Sequence, residues 1–144
     1  GPAFVERIGK PSDLMTMLPE ADVVVIAVPL TAETTGLFGK DAFAAMRPGS
    51  YLINIARGKV VDTDALIEAL RAGTLAGAGL DVTEPEPLPE GHPLWKAPNV
   101  LITPHVAGDA AVSELRGQAI FRENVRRFGA GEPLLNTVDK QAGY

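Results

Sequence analysis

Three ionisable side chains of different kinds follow three apolar runs of this chain. Arg57 comes just after Ser50-Tyr51-Leu52-Ile53-Asn54-Ile55. Asp81 closes the run that starts at Leu75, and Glu84 and Glu86 lie in the Pro-rich stretch beyond it. His105 follows Val100-Leu101-Ile102-Thr103 and Pro104. A guanidinium offers a planar fork matched to a carboxylate, which an ammonium does not. An imidazole gains or loses a proton near neutral pH. A carboxylate against its second ring nitrogen fixes the tautomer and favours the protonated form. Together such groups suit a small substrate that carries a carboxylate and a group exchanging a proton.

Each residue also has an ordinary structural reading. An arginine after a strand is most often a solvated surface residue. The neighbouring Gly58 favours function, since glycine permits close approach of backbone to a ligand. Asp81, beside Gly77, Ala78 and Gly79, could merely cap a turn, and Glu86 could be one more exposed loop carboxylate. His105 could be a turn histidine bonded to backbone. His92, in Gly91-His92-Pro93-Leu94-Trp95, reads as structural, in a loop anchored by Leu94 and Trp95. Nothing gives the acidic loop residues metal-ligand spacing, so no metal site is expected. The placement of the three groups at successive strand ends carries more weight than any one of them.

Composition narrows the function classes. The 144 residues, 46% hydrophobic and 22% charged, suit a single domain. Thirteen Lys+Arg against 18 Asp+Glu give a net charge of −5, which argues against a nucleic-acid partner. With no cysteine, disulfides, thiolate metal sites and cysteine nucleophiles are excluded. The longest apolar stretch, Val23 to Leu30, is far short of the ~20 residues of a membrane span. No signal segment opens the chain, so no membrane partner and a cytoplasmic location are expected. Gly1-Pro2 is equally compatible with a tag remnant and with native sequence.

The elements that must position these groups alternate. The apolar runs Asp22 to Val28, Ser50 to Ile55, Leu75 to Val82 and Val100 to Thr103 read as strands buried on both faces, as in parallel sheets. A short helix over Ser12 to Leu18 starts on a capping residue, and Lys40 to Met46 forms another before Pro48-Gly49. Asp62 caps a helix to Ala72, with Ala65, Leu66, Ala69 and Leu70 on one face and Gly73 at its end. The longest helix runs from Asp109 to Phe128, with Val112, Leu115, Ala119, Val125 and Phe128 at helical spacing. A Glu123–Arg127 pair supports it, Gly129-Ala130-Gly131 closes it, and a polar tail runs to Tyr144. Strand, helix, strand, helix, strand is an α/β pattern with parallel strands. In such a sheet ligands bind beyond the carboxyl ends of the strands, where Arg57, Asp81 or Glu86, and His105 would converge.

At these positions the chain resembles the nucleotide-binding domain of the D-isomer-specific 2-hydroxyacid dehydrogenases, over about Ser12 to Arg127. The resemblance rests on Ala21-Asp22-Val23-Val24 leading to Pro29-Leu30-Thr31-Ala32-Glu33-Thr34, and on Ile53-Asn54-Ile55-Ala56-Arg57-Gly58. It continues through Gly79-Leu80-Asp81-Val82 with Glu86-Pro87, His92-Pro93-Leu94, and Thr103-Pro104-His105. It implies an oxidoreductase that moves a hydride between NAD or NADP and a small 2-oxo or 2-hydroxy acid. On that pattern Arg57 grips the substrate's carboxylate and carbonyl, His105 exchanges a proton with the carbonyl oxygen, and Glu86 hydrogen-bonds the histidine. Asp81 would face the nicotinamide amide. Val28, Pro29 and Thr34 would line the adenosine side, and Ile55, Ala56, Ala107 and Gly108 the nicotinamide ribose and ring.

The chain departs from that family in ways that shape the expected fold. Gly73, Gly77 and Gly79 do not make the family's Gly-x-Gly-x-x-Gly turn, and Val106-Ala107-Gly108-Asp109 departs from the commoner form of its segment. The expected fold is an incomplete Rossmann-type doubly wound sheet, lacking its first two strands and the Gly-rich turn. Residues 1–130 would be the partial dinucleotide domain and 131–144 a tail against an absent substrate domain. In the order 3-2-1-4-5-6 the missing strands would leave the Val23–Val28 strand without neighbours. A fragment is therefore expected, inactive alone, completed by the preceding segment or by a second copy, with a homodimer as the assembled form. The alternative is a non-catalytic dinucleotide-binding or corepressor-like module, which would need none of Arg57, Glu86 and His105.

Overall fold

The computed structural model describes residues 4–141. Gly1-Pro2 and the last residues of the tail lie outside that range. Four strands, β1 (Val23–Ile26), β2 (Ser50–Asn54), β3 (Leu75–Leu80) and β4 (Val100–Ile102), form one parallel sheet in the order β1-β2-β3-β4. Helices α1 (Leu14–Met17), α2 (Lys40–Ala45), α3 (Thr63–Arg71) and α4 (Ala111–Ala130) complete the chain, with short 3₁₀ helices at Pro11–Asp13, Leu18–Glu20, Gly58–Val60 and Pro93–Lys96.

The expected isolation of the first strand does not occur. β1 pairs with β2 in register, Val23 beside Tyr51 through Ile26 beside Asn54. The α2 segment returns the chain to the adjacent position, so no gap separates these strands. Only the outer edge of β1 stays unpaired among the described residues. β1 is therefore not left with unpaired backbone on both sides.

Packing is one-sided. Val24, Ile26, Leu52, Ala78, Leu80, Val100 and Ile102 face α2 and α3, whose buried Ala42, Phe43, Ala65, Leu66, Ile67, Ala69 and Leu70 complete the core. Fully burying one leucine of this set contributes about 1.5–3 kcal/mol. On the other face, the registered neighbours Val23, Val25, Tyr51 and Leu101 are all about half exposed or more. The doubly wound arrangement expected from the apolar strands is thus present on one face only. Strands apolar on both sides predict two covering layers, whereas the described residues supply one.

Local signals place the helices within a few residues. Asp62 caps α3, its carboxylate accepting from Ala65 N at 3.0 Å, and Gly73 follows with φ +73°. At the start of the chain the cap differs from expectation. Ser12 is not the capping residue; Asp13 reaches back to accept from Lys10 N at 2.8 Å. The long helix begins at Ala111, not Asp109, because Asp109 N first closes a turn onto the Val106 carbonyl. Its end is held by Gly131 in the left-handed conformation and by Glu123 bound to both Arg126 and Arg127. The apolar positions of α4 are not buried against the sheet: Val112, Leu115, Phe121, Val125 and Phe128 are all exposed.

Candidate active site

The carboxyl ends of the strands carry the groups of interest, and each is set by its own local structure. After β2 the chain turns around Asn54, which is 1% exposed. Its amide oxygen accepts from Ala56 N at 3.0 Å and its amide nitrogen donates to the Arg57 carbonyl at 3.1 Å. This turn brings Arg57 out of the sheet, with its guanidinium donating to the Ala56 carbonyl at 2.6 Å. Gly58 is buried against the loop after β3, where an added methyl would overlap the Thr83 carbonyl and lie 2.7 Å from Glu84 N. The close approach that this glycine permits is therefore to the chain's own Thr83–Glu84 backbone, not to a ligand. It draws Arg57 towards the segment that bears Glu86.

Beyond β3 and β4 the loops interlock. Asp81 is buried, and its carboxylate accepts from Thr103 Oγ1 at 2.6 Å, Val106 N at 2.9 Å and Ala107 N at 2.8 Å. These bonds, that of Thr103 foremost, hold its carboxyl below the usual aspartate range. His105 Nδ1 lies 2.7 Å from Glu86 Oε1, and both side chains remain partly open to solvent. With Nδ1–H donated to the carboxylate, Nε2 is the nitrogen left for proton exchange. His105 has φ +56°, a left-handed backbone that non-glycine residues seldom adopt.

Three depressions run side by side along this rim. One of about 560 Å³ is lined by Ala27, Val28, Pro29, Leu30, Ile55, Ala56 and Arg57. A second, about 310 Å³, shares Leu30 and Arg57 with the first and extends to Thr83 and Glu86. The third, about 290 Å³, shares Thr83 and Glu86 with the second and reaches Asp81, Trp95, Thr103 and His105. Glu86 lines both the depression that reaches Arg57 and the one that reaches His105. No direct Arg57–His105 bond forms among the described residues.

The residues expected to hold the cofactor divide. Val28, Pro29, Ile55, Ala56 and Arg57 line the first depression, where apolar side chains that suit a heterocyclic ring stand beside polar groups that suit a ribose. Ala56 is buried, so it presents backbone rather than side chain. Thr34 points inward: its hydroxyl donates to the Pro29 carbonyl at 2.7 Å and accepts from Thr31 N at 2.8 Å, shaping the loop after β1. Ala107 and Gly108 lie exposed beside His105 in the turn closed by Asp109. No Gly-rich turn for a pyrophosphate occurs in the sequence, so these residues fit part of a dinucleotide. His92 has the structural role expected of it, accepting from Leu94 N at 3.2 Å at the start of a 3₁₀ helix. Among the described residues no group of three or more His, Asp or Glu side chains could hold a metal. No described helix is long and apolar enough to cross a membrane.

Two organisers escaped the sequence reading. Asn54 was visible only as one polar residue in an apolar strand, and Thr103 only as a strand-end residue before Pro104. Both are polar positions in otherwise apolar runs, the one local signal that marks them. The arrangement can bind an anion at Arg57 and exchange a proton at His105, whose ring Glu86 orients through Nδ1.

Known proteins resemble this chain over most of its length. Residues 3–107 match the family model of the D-isomer specific 2-hydroxyacid dehydrogenase, NAD binding domain. A glyoxylate reductase of Thermofilum pendens is 44% identical over 130 residues, covering 90% of this chain and 38% of the relative. A D-3-phosphoglycerate dehydrogenase of Archaeoglobus fulgidus is 42% identical over 135 residues, covering 93% and 26%. A D-isomer specific 2-hydroxyacid dehydrogenase from Xanthobacter autotrophicus, solved with NADPH and MES, superposes with a TM-score of 0.84 at 48% identity, over 92% of this chain and 54% of that one. The chain spans 26–41% of the length of the first of its curated relatives.

Proposed function

Since the chain belongs to the D-isomer-specific 2-hydroxyacid dehydrogenase family, in the part formed by the NAD-binding domain, we propose that it supplies the proton-transfer and anion-binding groups of an oxidoreductase acting on a small 2-oxo or 2-hydroxy acid. Bound NAD or NADP supplies or accepts the hydride. Arg57 binds the substrate carboxylate and carbonyl through its planar fork. His105 holds at Nε2 the proton that passes to the carbonyl oxygen, and recovers it in the oxidative direction. Glu86 holds the Nδ1–H and fixes the orientation of the ring. Val28 and Pro29 stand on the adenosine side, and Thr34 shapes the loop that carries them. Ile55, Ala56, Ala107 and Gly108 run along the nicotinamide ribose and ring, with Asp81 towards the amide.

The 2.7 Å contact between His105 and Glu86, in a rim of depressions continuous with Arg57, carries this reading. A pure dinucleotide binder needs neither an imidazole held by a carboxylate nor an arginine beside it. The test is reduction of glyoxylate, with NADH and NADPH in turn, by the full-length protein. His105→Asn is expected to lower kcat by about 10²–10⁴ while leaving cofactor affinity nearly unchanged. Arg57→Ala should raise KM and lower kcat together. Unaltered turnover in both variants would remove the assignment.

A further inference from the structure

We infer that Asp81 is the positioning residue that aims His105, by bracketing its left-handed backbone with hydrogen bonds on both sides. The inference rests on the proposed dehydrogenase reading for its catalytic meaning, though not for its geometry.

The three donors to Asp81 are not scattered. Thr103 Oγ1 lies two residues before His105, and Val106 N and Ala107 N are the first and second amides after it. One buried carboxylate therefore grips the chain on either side of the histidine, with Oδ1 serving Thr103 and Val106 and Oδ2 serving Ala107. Between these grips His105 sits at φ +56°, where an L side chain crowds its own backbone. Such a conformation persists only when the surroundings over-determine it. A second local bond, His105 N to the Thr103 carbonyl at 3.0 Å, tightens the same turn. Asp81 is itself fixed, because it follows β3 directly and its amide donates to the Asn54 carbonyl at 2.9 Å. The sheet thus holds the carboxylate, the carboxylate holds the turn, and the turn sets the direction in which the imidazole leaves the backbone. Glu86 meets the ring only because that direction is correct. Charge-assisted bonds from a carboxylate to backbone amides are the strong kind, as this hold requires.

Two variants separate positioning from charge. Asp81→Asn keeps shape and one acceptor oxygen, but sets an NH₂ donor against the amide of Ala107 or that of Val106. Ala107→Pro replaces the N–H donated to Oδ2 with a ring methylene and restricts the backbone of Val106, while the carboxylate itself stays charged. Ala107 is the second residue of the turn closed by Asp109 N on the Val106 carbonyl, a position where proline is favoured, and it has no positive φ. The readout in the full-length protein is the downfield proton resonance of the His105 Nδ1–H held by Glu86, assigned with His105→Asn. The ring signals of His92, whose Nδ1 instead accepts from Leu94 N, report that each variant is folded. The expected result is loss or broadening of the His105 signal in both variants. With glyoxylate and NADH or NADPH, Asp81→Asn should lower kcat about 10- to 100-fold and change KM less than about threefold, as for a misplacement of about 1 Å.

An intact signal in either folded variant overturns the bracket. So does an Asp81→Asn enzyme whose cofactor KM rises at unchanged kcat, which would leave Asp81 as a cofactor contact only. If the parent protein reduces none of the 2-oxo acids tried but both variants still lose the signal, the dehydrogenase reading fails and the bracket stands.

Discussion

Gly58→Ala probes the joint that brings Arg57 and Glu86 together. The added methyl would overlap the Thr83 carbonyl and stand 2.7 Å from Glu84 N, whereas non-bonded heavy atoms rest about 3.5–4.0 Å apart. One of the two backbone segments must therefore move by about 1 Å or more, and neither obstacle is a flexible side-chain end. Overpacking of this kind costs about 1–3 kcal/mol, and backbone obstacles place the expectation near the upper figure. Gly58 has no positive φ, so the cost is steric rather than conformational. Loss of unfolded-state freedom returns only about 0.4–1 kcal/mol. The net loss of about 2 kcal/mol should lower Tm by about 4–10 °C in thermal unfolding of the full-length protein. A shift of about 1 Å between the two loops should also lower kcat/KM for glyoxylate by up to about 100-fold. Gly117→Ala is the control. It sits inside α4 with nothing within 4 Å of the added carbon, and should gain about 1 kcal/mol. A Gly58→Ala protein as stable as the parent, with unchanged kcat/KM, would refute the close approach.

Other outcomes follow from single contacts. Asn54→Ala leaves the Ala56 amide and Arg57 carbonyl without their partner, and should cost about 2–4 kcal/mol in urea unfolding; a loss below about 0.5 kcal/mol would contradict the turn described. Leu52→Ala, at 0% exposure between β1 and β3, should cost about 2–5 kcal/mol by the same measurement. At the end of α4, Arg126 and then Arg127 pull Glu123 down to about 2 from an ordinary 4.5. Because the folded value is depressed, the stabilisation is complete above pH 4.5 and fades as pH falls towards 2. Protection of the amides of residues 123–133, corrected for intrinsic exchange, should fall over that window, and Glu123→Gln should reduce the pH dependence to the part that Glu132 contributes through Arg126.

The segments of the sheet and the helix caps were legible because their causes are local. β-branched and small-residue runs marked all four strands, and Asp62 and Gly73 marked both ends of α3. Boundaries slipped where a competing contact intervened: Asp109 spends its amide on a turn, so α4 starts later. α4 also shows how pattern and packing diverge. Its apolar residues recur at helical spacing, yet none is buried, since periodicity states which residues share a face and not what that face meets. The strand order was misjudged for a similar reason: run length and composition do not encode which strand is a neighbour.

Residue type and spacing alone determined that a guanidinium, a carboxylate and an imidazole would reach one rim, because parallel strands send their carboxyl ends to the same side. They also marked Gly58 as a place of close backbone approach, though not what approaches it. Tertiary structure decided the pairings. It brought Glu86, which the family resemblance had assigned to the imidazole, within 2.7 Å of it, turned Asp81 to the backbone around His105, and gave the space at Gly58 to the Thr83–Glu84 segment. Those choices depend on the path of a loop across the sheet, where residues far apart in sequence meet over distances of a few ångströms that no local pattern records.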